Sequence, residues 1–152
     1  GCLQQTRSGA DTSAPPLSPM SAPRPTLLVA DDYPENCKLF SIYLRKDYEV
    51  VTALSAEAAL ARIQEGGIAA ALLDINYQGG MSGLDLVRHL RADPALAALP
   101  TLALTAHASP EDRRACLEAG FDAYLSKPVL KAQMLTAVEA LLMEATTPGS
   151  SG

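Results

Sequence analysis

At 152 residues, with 48% hydrophobic and 19% charged side chains, the chain suits one domain of ordinary size with a core of its own. A formal net charge of −5 without any basic run argues against nucleic acid as a direct partner. The apolar runs are too short and interrupted to span a bilayer, and no signal-peptide pattern is present. Cys2, Cys37 and Cys116 are an odd set without CxxC spacing, which reads as reduced thiols in a cytosolic protein. His89 and His107 are too few and too far apart for a metal cluster.

Along the chain, residues 1–25 carry Pro15, Pro16, Pro19, Pro23 and Pro25 among small and polar residues, the composition of a tail or linker. Met20 reads either as a natural start or as a point within an interdomain linker. Residues 26–144 are expected to form the domain, and residues 145–152 a second small, polar tail. Within the domain, apolar runs alternate five times with helical patterns. Strands are predicted over residues 26–30, 49–53, 69–74, 101–105 and 123–126. Helices are predicted over residues 34–46, 56–65, 83–92, 110–119 and 130–144.

The punctuation agrees. Ser55 is placed to cap the second helix and Gly66-Gly67 to end it. Ser109 precedes Pro110 at the first helical position of the fourth, with Asp112 where an acid suits the helix dipole, and Gly120 suits a left-handed cap. Leu130, Met134, Leu135, Val138, Leu141 and Leu142 mark one buried face of the last helix.

Strand and helix in strict alternation predict an α/β domain, a doubly wound parallel sheet with helices on both faces. The most continuous apolar strands belong in the middle: Leu27 to Ala30, Ala69 to Leu73 and Leu102 to Leu104. The second and fifth are shorter and more mixed, as edges are. The strand order that follows is 2-1-3-4-5, with ligands expected at the carboxyl rim where the order reverses.

That rim gathers chemistry from distant parts of the chain. The first strand leads into Asp31-Asp32, the third ends in Asp74, the fourth in Thr105-Ala106 and the fifth in Ser126-Lys127-Pro128. Two carboxylates about 4 Å apart repel by about 4 kcal/mol at an effective dielectric of 20, so three need a cationic partner. A divalent ion held by oxygens suits Mg²⁺, and Lys127 adds a second positive charge. A nucleophilic carboxylate, a metal, a lysine and a hydroxyl together suit phosphoryl transfer. Singly, each piece is commonplace; a paired Asp is usually a solvated loop and Lys-Pro usually a turn. Their shared rim is what carries the reading.

Leu28-Val29-Ala30-Asp31-Asp32, Leu72-Leu73-Asp74, Leu104-Thr105-Ala106 and Leu125-Ser126-Lys127-Pro128 resemble the response-regulator receiver family, over about residues 26–144. The run from Asp112-Arg113 to Pro128, enclosing Cys116-Leu117-Glu118-Ala119-Gly120, and Asn36 four residues past Asp32 resemble the receivers of hybrid sensor kinases. The resemblance implies a flavodoxin-like (CheY-like) fold and a cytoplasmic phosphorylation switch rather than a dedicated enzyme, one that assists its own phosphorylation and dephosphorylation. Its partner is then a histidine kinase or a histidine phosphotransfer domain. Asp74 matches the phosphoacceptor, Asp31 and Asp32 the metal-binding acids, and the backbone carbonyl of Asn76 the third protein ligand of Mg²⁺. Thr105 matches the switch hydroxyl, Tyr124 the switch aromatic, Lys127 the phosphate-binding lysine, and Ala106 the small residue that leaves the site open. The family usually has Met-Pro after its phosphoacceptor and a helix-opening glycine eight residues on. Here Tyr77-Gln78-Gly79-Gly80 intervenes and Gly83 comes nine residues on, so the loop is one residue longer, with Gly79 and Gly80 placed to absorb it.

Two rival chemistries meet obstacles in these residues. A metal-dependent phosphohydrolase using Asp74 as nucleophile normally needs a second acid two residues on, where Asn76 stands. A flavodoxin-like cofactor binder needs a phosphate-cradling loop after the first strand, where Asp31-Asp32-Tyr33-Pro34 would repel a phosphate. His107, two residues past Thr105, and Asn76 are placed to influence how water reaches a phosphoryl group, against the alternative that His107 simply faces solvent.

Overall fold

The computed structural model describes residues 24–77, 79–106 and 109–145. The tail expected before residue 24, the tail after residue 145, and His107 lie outside the described residues. In chain order the elements are β1 (Thr26–Ala30), α1 (Pro34–Leu44), β2 (Glu49–Ala53), α2 (Ala56–Gln64) and β3 (Ala70–Asp74). They continue with α3 (Gly83–Ala92), β4 (Thr101–Thr105), α4 (Pro110–Ala119), β5 (Ala123–Ser126) and α5 (Lys131–Ala145). The five strands are parallel in the order β2-β1-β3-β4-β5, the expected 2-1-3-4-5.

Side chains of a strand alternate between the faces of a sheet, so a strand buried on both faces is apolar throughout. Leu28, Ala30, Ala71, Leu73 and Ala103 join one core with residues of α2, α3 and α4, among them Ala59, Ile63, Leu86, Leu90 and Cys116. Leu27, Val29, Ala70, Leu72, Leu102 and Leu104 join the other with Phe40 and Leu44 of α1 and Met134, Val138 and Leu141 of α5. Each fully buried Leu contributes about 1.5–3 kcal/mol, so the central strands β1, β3 and β4 anchor the fold. The edges β2 and β5 are only half-buried for most of their length.

The caps form as the sequence indicates. The Ser55 and Ser109 hydroxyls accept from the backbone N–H groups of Ala58 and Asp112; the structure adds a reciprocal capping box of Ser82 and Asp85 on α3 that the sequence reading did not single out. Gly66, Gly67 and Gly120 adopt positive φ.

Five boundaries differ from expectation, one of them the end of α5, which runs to Ala145. α1 ends at Leu44, with Arg45 as its cap, where the Asp47 N–H bonds three residues back to Leu44 and residues 45–47 turn; α2 ends at Gln64, where Glu65 becomes the cap. β3 begins at Ala70. Leu130 is not part of the buried face of α5. It is 64% exposed and precedes the first turn, where its N–H donates to the Gln133 side chain and its carbonyl accepts from Met134. Leu135 and Leu142 are partly buried at the margin of that face.

Candidate functional site

β1 and β3 are neighbours whose chains depart to opposite faces of the sheet, β1 into α1 and β3 into α3. The crevice between their carboxyl ends is where a parallel sheet offers a ligand site. Asp31 and Asp32 follow β1 directly, Asp74 closes β3, and one carboxylate oxygen from each lies within 4.8 Å of the others. Lys127, just past β5, reaches in from the other side. Its ammonium donates to Asp31 Oδ2 at 2.7 Å and to Asp74 Oδ2 at 3.3 Å. Asp31 is fully buried and Asp74 nearly so. Asp32, Asp74, Asn76, Ala106 and Lys127 share a cleft of about 240 Å³ with Tyr33 and Tyr77.

Asp31 and Asp74 are oriented by their surroundings. Asp31 Oδ1 accepts the Tyr33 N–H at 2.9 Å, and Oδ2 accepts the Asn36 amide at 3.1 Å as well as Lys127. Asp74 Oδ1 accepts the Asn76 N–H at 3.2 Å, a turn that sets the Asn76 backbone beside the carboxylate. Beneath them the Cys37 thiol faces the Asp31 carbonyl at 3.4 Å.

The charges perturb one another. Burial raises the pKa of Asp74, and the Asp31 charge adds to the rise; the Asn76 N–H and Lys127 oppose it without cancelling it. Burial alone would lower the pKa of Lys127, but its hydrogen bond to Asp31 and the charges of Asp74 and Asp31 outweigh this and hold it above its ordinary value. Lys127 is therefore a fixed cation, while Asp74 is a carboxylate of enhanced basicity.

The set fits a hard divalent cation. Three carboxylates converge at an open cleft with, among the described residues, one ammonium between them, and Mg²⁺ prefers a few carboxylate oxygens with water completing its shell.

Of the residues read from the sequence, Asp31, Asp32, Asp74, Asn76, Ala106 and Lys127 come together here. Thr105 is buried at the end of β4, opposite Ser126 of β5, and its carbonyl accepts the Lys127 N–H at 2.7 Å. Its side chain does not figure among the described residues lining the cleft. Tyr124 stands on β5 opposite Ala103, half-buried against the α2–α3–α4 core.

Sequence reasoning did not find Tyr77. It placed that residue in an unusual loop, yet the phenol reaches back across the crevice and donates to the Ala30 carbonyl at 3.2 Å. At the far end of the same segment Glu57 of α2 accepts the Met81 N–H at 2.7 Å. Gly79 and Gly80 adopt φ of 79° and 71°, in the left-handed region that favours glycine. The signal for Tyr77 was a large aromatic three residues after a rim acid, in a segment otherwise made of Asn, Gln and Gly.

Residues 27–139 match the family model of the response regulator receiver domain. The chain is 32% identical over 123 residues to the sensor protein GacS of Pseudomonas syringae, spanning 79% of this chain and 14% of that protein. It is 37% identical over 112 residues to the sensory/regulatory protein RpfC of Xanthomonas campestris, spanning 72% of this chain and 15% of that protein. The chain thus corresponds to a small part of these two relatives. Among solved structures, a CheY-like receiver domain protein from Methanospirillum hungatei superposes with a TM-score of 0.76 at 28% identity, over 82% of this chain and 98% of that one. With the sheet order, the rim acids and the family match in agreement, the chain belongs to the response regulator receiver domain family.

Proposed function

We propose that Asp74 is the phosphoacceptor of this receiver, taking a phosphoryl group from a phosphohistidine of a histidine kinase or a histidine phosphotransfer domain. The observation that carries this is the placement of the Lys127 ammonium between Asp31 and Asp74, 2.7 and 3.3 Å away, at the mouth of a cleft lined by Asp32 and Asn76. An Asp74 oxygen attacks phosphorus, forming an O–P bond as the donor's N–P bond breaks. The raised basicity of Asp74 favours the attacking oxygen, and Lys127 neutralises charge on the phosphoryl oxygens. Asp31, Asp32, Asp74 and the Asn76 carbonyl would hold Mg²⁺, which when bound supplies further neutralisation of that charge. Ala106 leaves the cleft open on the β4 side.

The new group adds charge and acceptor oxygens, which draw the Thr105 hydroxyl toward it as a donor. Movement of Thr105 frees space for the half-buried Tyr124 to turn inward, changing the surface formed by α4, β5 and α5. Such a two-state shift needs only a few kcal/mol of differential stabilisation. The likeness to parts of GacS and RpfC supports a place within or beside a sensor kinase. Among the described residues no helix is long and apolar enough to cross a membrane, and the cytoplasm, where histidine kinases hold their phosphoryl groups, suits the role.

Incubation with acetyl phosphate and Mg²⁺ tests the reading. One phosphoryl group is expected, acid-stable and base-labile as an acyl phosphate is, and absent from Asp74→Asn. Label persisting on Asp74→Asn would place the acceptor elsewhere.

A further inference from the structure

Two chain segments carry the oxygens of the acid cluster: residues 30–32 after β1 and residues 74–77 after β3. Tyr77 joins them. Its hydroxyl donates to the carbonyl of Ala30, the residue immediately before Asp31, while its ring lines the cleft and packs against the α2–α3–α4 core. Asn76, between Asp74 and Tyr77, is held on one side by the turn onto Asp74 Oδ1 and on the other by this bond. Gly79 and Gly80, further along, adopt positive φ and bring no side chain to hold their backbone. The segment's second tether, Met81 to Glu57, lies on the far side of those glycines.

We propose that Tyr77 is a positioning residue that latches the segment after β3 to the end of β1, and so sets how tightly the acid cluster binds a divalent cation. The proposal rests on the metal reading above. The latch acts through geometry: it fixes the Asn76 backbone relative to Asp31 and Asp32, so the cation meets preformed oxygens. The phenol stays a donor across the working pH range. Burial first, and the Asp74 and Asp31 charges after it, push its pKa far above the ordinary value, so it does not ionise beside the acids.

The test compares wild type with Tyr77→Phe, which removes the hydroxyl and keeps the ring. Mg²⁺ binding is read by calorimetry, and amide hydrogen exchange is read in metal-free protein. Loss of one neutral hydrogen bond should raise the Mg²⁺ dissociation constant about twofold to tenfold. Exchange at the Asn76 and Tyr77 amides should accelerate by a similar factor while Leu72 and Leu102 stay protected. Arg91→Lys serves as control, because Arg91 bonds at the opposite end of the sheet, to the Thr101 side chain and the Gly120 carbonyl. It should lower global stability without moving either readout. Unchanged Mg²⁺ affinity and exchange in Tyr77→Phe, or an equal affinity loss in Arg91→Lys, would overturn the latch. If wild type itself gave no response to Mg²⁺, the metal reading would fall and with it the claim about affinity. Faster exchange at Asn76 in metal-free Tyr77→Phe would still separate that failure from failure of the latch.

Discussion

Replacing Asp74 by Asn removes one negative charge from the rim while keeping the shape of the side chain, and the metal-free protein should become more stable. With the three carboxylates within 4.8 Å of one another, each like pair repels by about 3.5 kcal/mol at an effective dielectric of 20. Asp74 takes part in two such pairs, with Asp31 and Asp32. Against this stands its attraction to Lys127 at 3.3 Å, about 5 kcal/mol on the same scale. The net is repulsive by about 2 kcal/mol. Screening at the partly exposed Asp32 reduces it, leaving an expected gain of about 1–2 kcal/mol for Asp74→Asn.

The direction follows independently from the raised pKa of Asp74, caused first by burial. The folded state holds this proton more tightly than the unfolded chain, so stability is greatest below the unfolded pKa and falls as pH rises through the folded one. At neutral pH wild type has lost that contribution and the neutral Asn has not; well below the ordinary carboxylate range, about pH 4, the two should converge. Urea unfolding in EDTA at pH 7.5 measures the gain as a higher midpoint, and thermal unfolding in the same buffer should show a rise in Tm of roughly 3–10 °C. Added Mg²⁺ should then reverse the order, because it stabilises only the form that binds it. A metal-free Asp74→Asn less stable than wild type at pH 7.5 would refute the account of the rim as an unbalanced cluster of charge.

Gly83→Ala should destabilise the fold by about 1–3 kcal/mol and weaken Mg²⁺ binding as α3 is pushed from the rim. A Cβ there would stand 2.2 Å from the Asp74 carbonyl oxygen and 2.7 Å from the Ile75 Cα, both backbone atoms that cannot swing aside; urea midpoints and calorimetry check it. Arg91→Lys should cost about 2 kcal/mol, because the guanidinium bonds at once to the carbonyls of Ala97, Leu99 and Gly120, to the Thr101 hydroxyl and to Asp122. A single ammonium cannot span that fork, and an unchanged urea midpoint would contradict the reading. Cys37 and Cys116 are buried with their pKa values raised, chiefly by burial. Iodoacetamide at pH 8 should label both roughly a hundredfold more slowly in folded protein than in urea, read by peptide mass mapping.

The fold was legible because each signal lies within a few neighbouring residues. Leu27 to Ala30 and Leu102 to Leu104 are apolar at every position, which only a strand covered on both faces allows. Ser55 and Ser109 mark helix starts through local hydrogen bonds. Where expectation slipped, the deciding contact was also local but not encoded as a pattern. Leu130 fits the period of α5, yet the Gln133 side chain takes its N–H and makes it the flank of the helix rather than part of its buried face.

The site divides along a different line. Asp31, Asp32, Asp74 and Lys127 were legible because the topology alone brings strand ends to one rim, so a charged residue at a strand end is placed once the strand is placed. What escaped is what depends on where a loop goes after leaving the rim. Asn36 grips Asp31 from the first turn of α1, and Tyr77 grips Ala30 from a segment whose path is set by Gly79, Gly80 and a backbone bond to Glu57 on another helix. A tyrosine hydroxyl acquires a partner only when the chain has turned, and no spacing in the sequence fixes that turn. The charges of the rim therefore stand at element ends and could be counted, whereas the groups that hold them in register, one on the first turn of a helix and one in a loop, had to be seen.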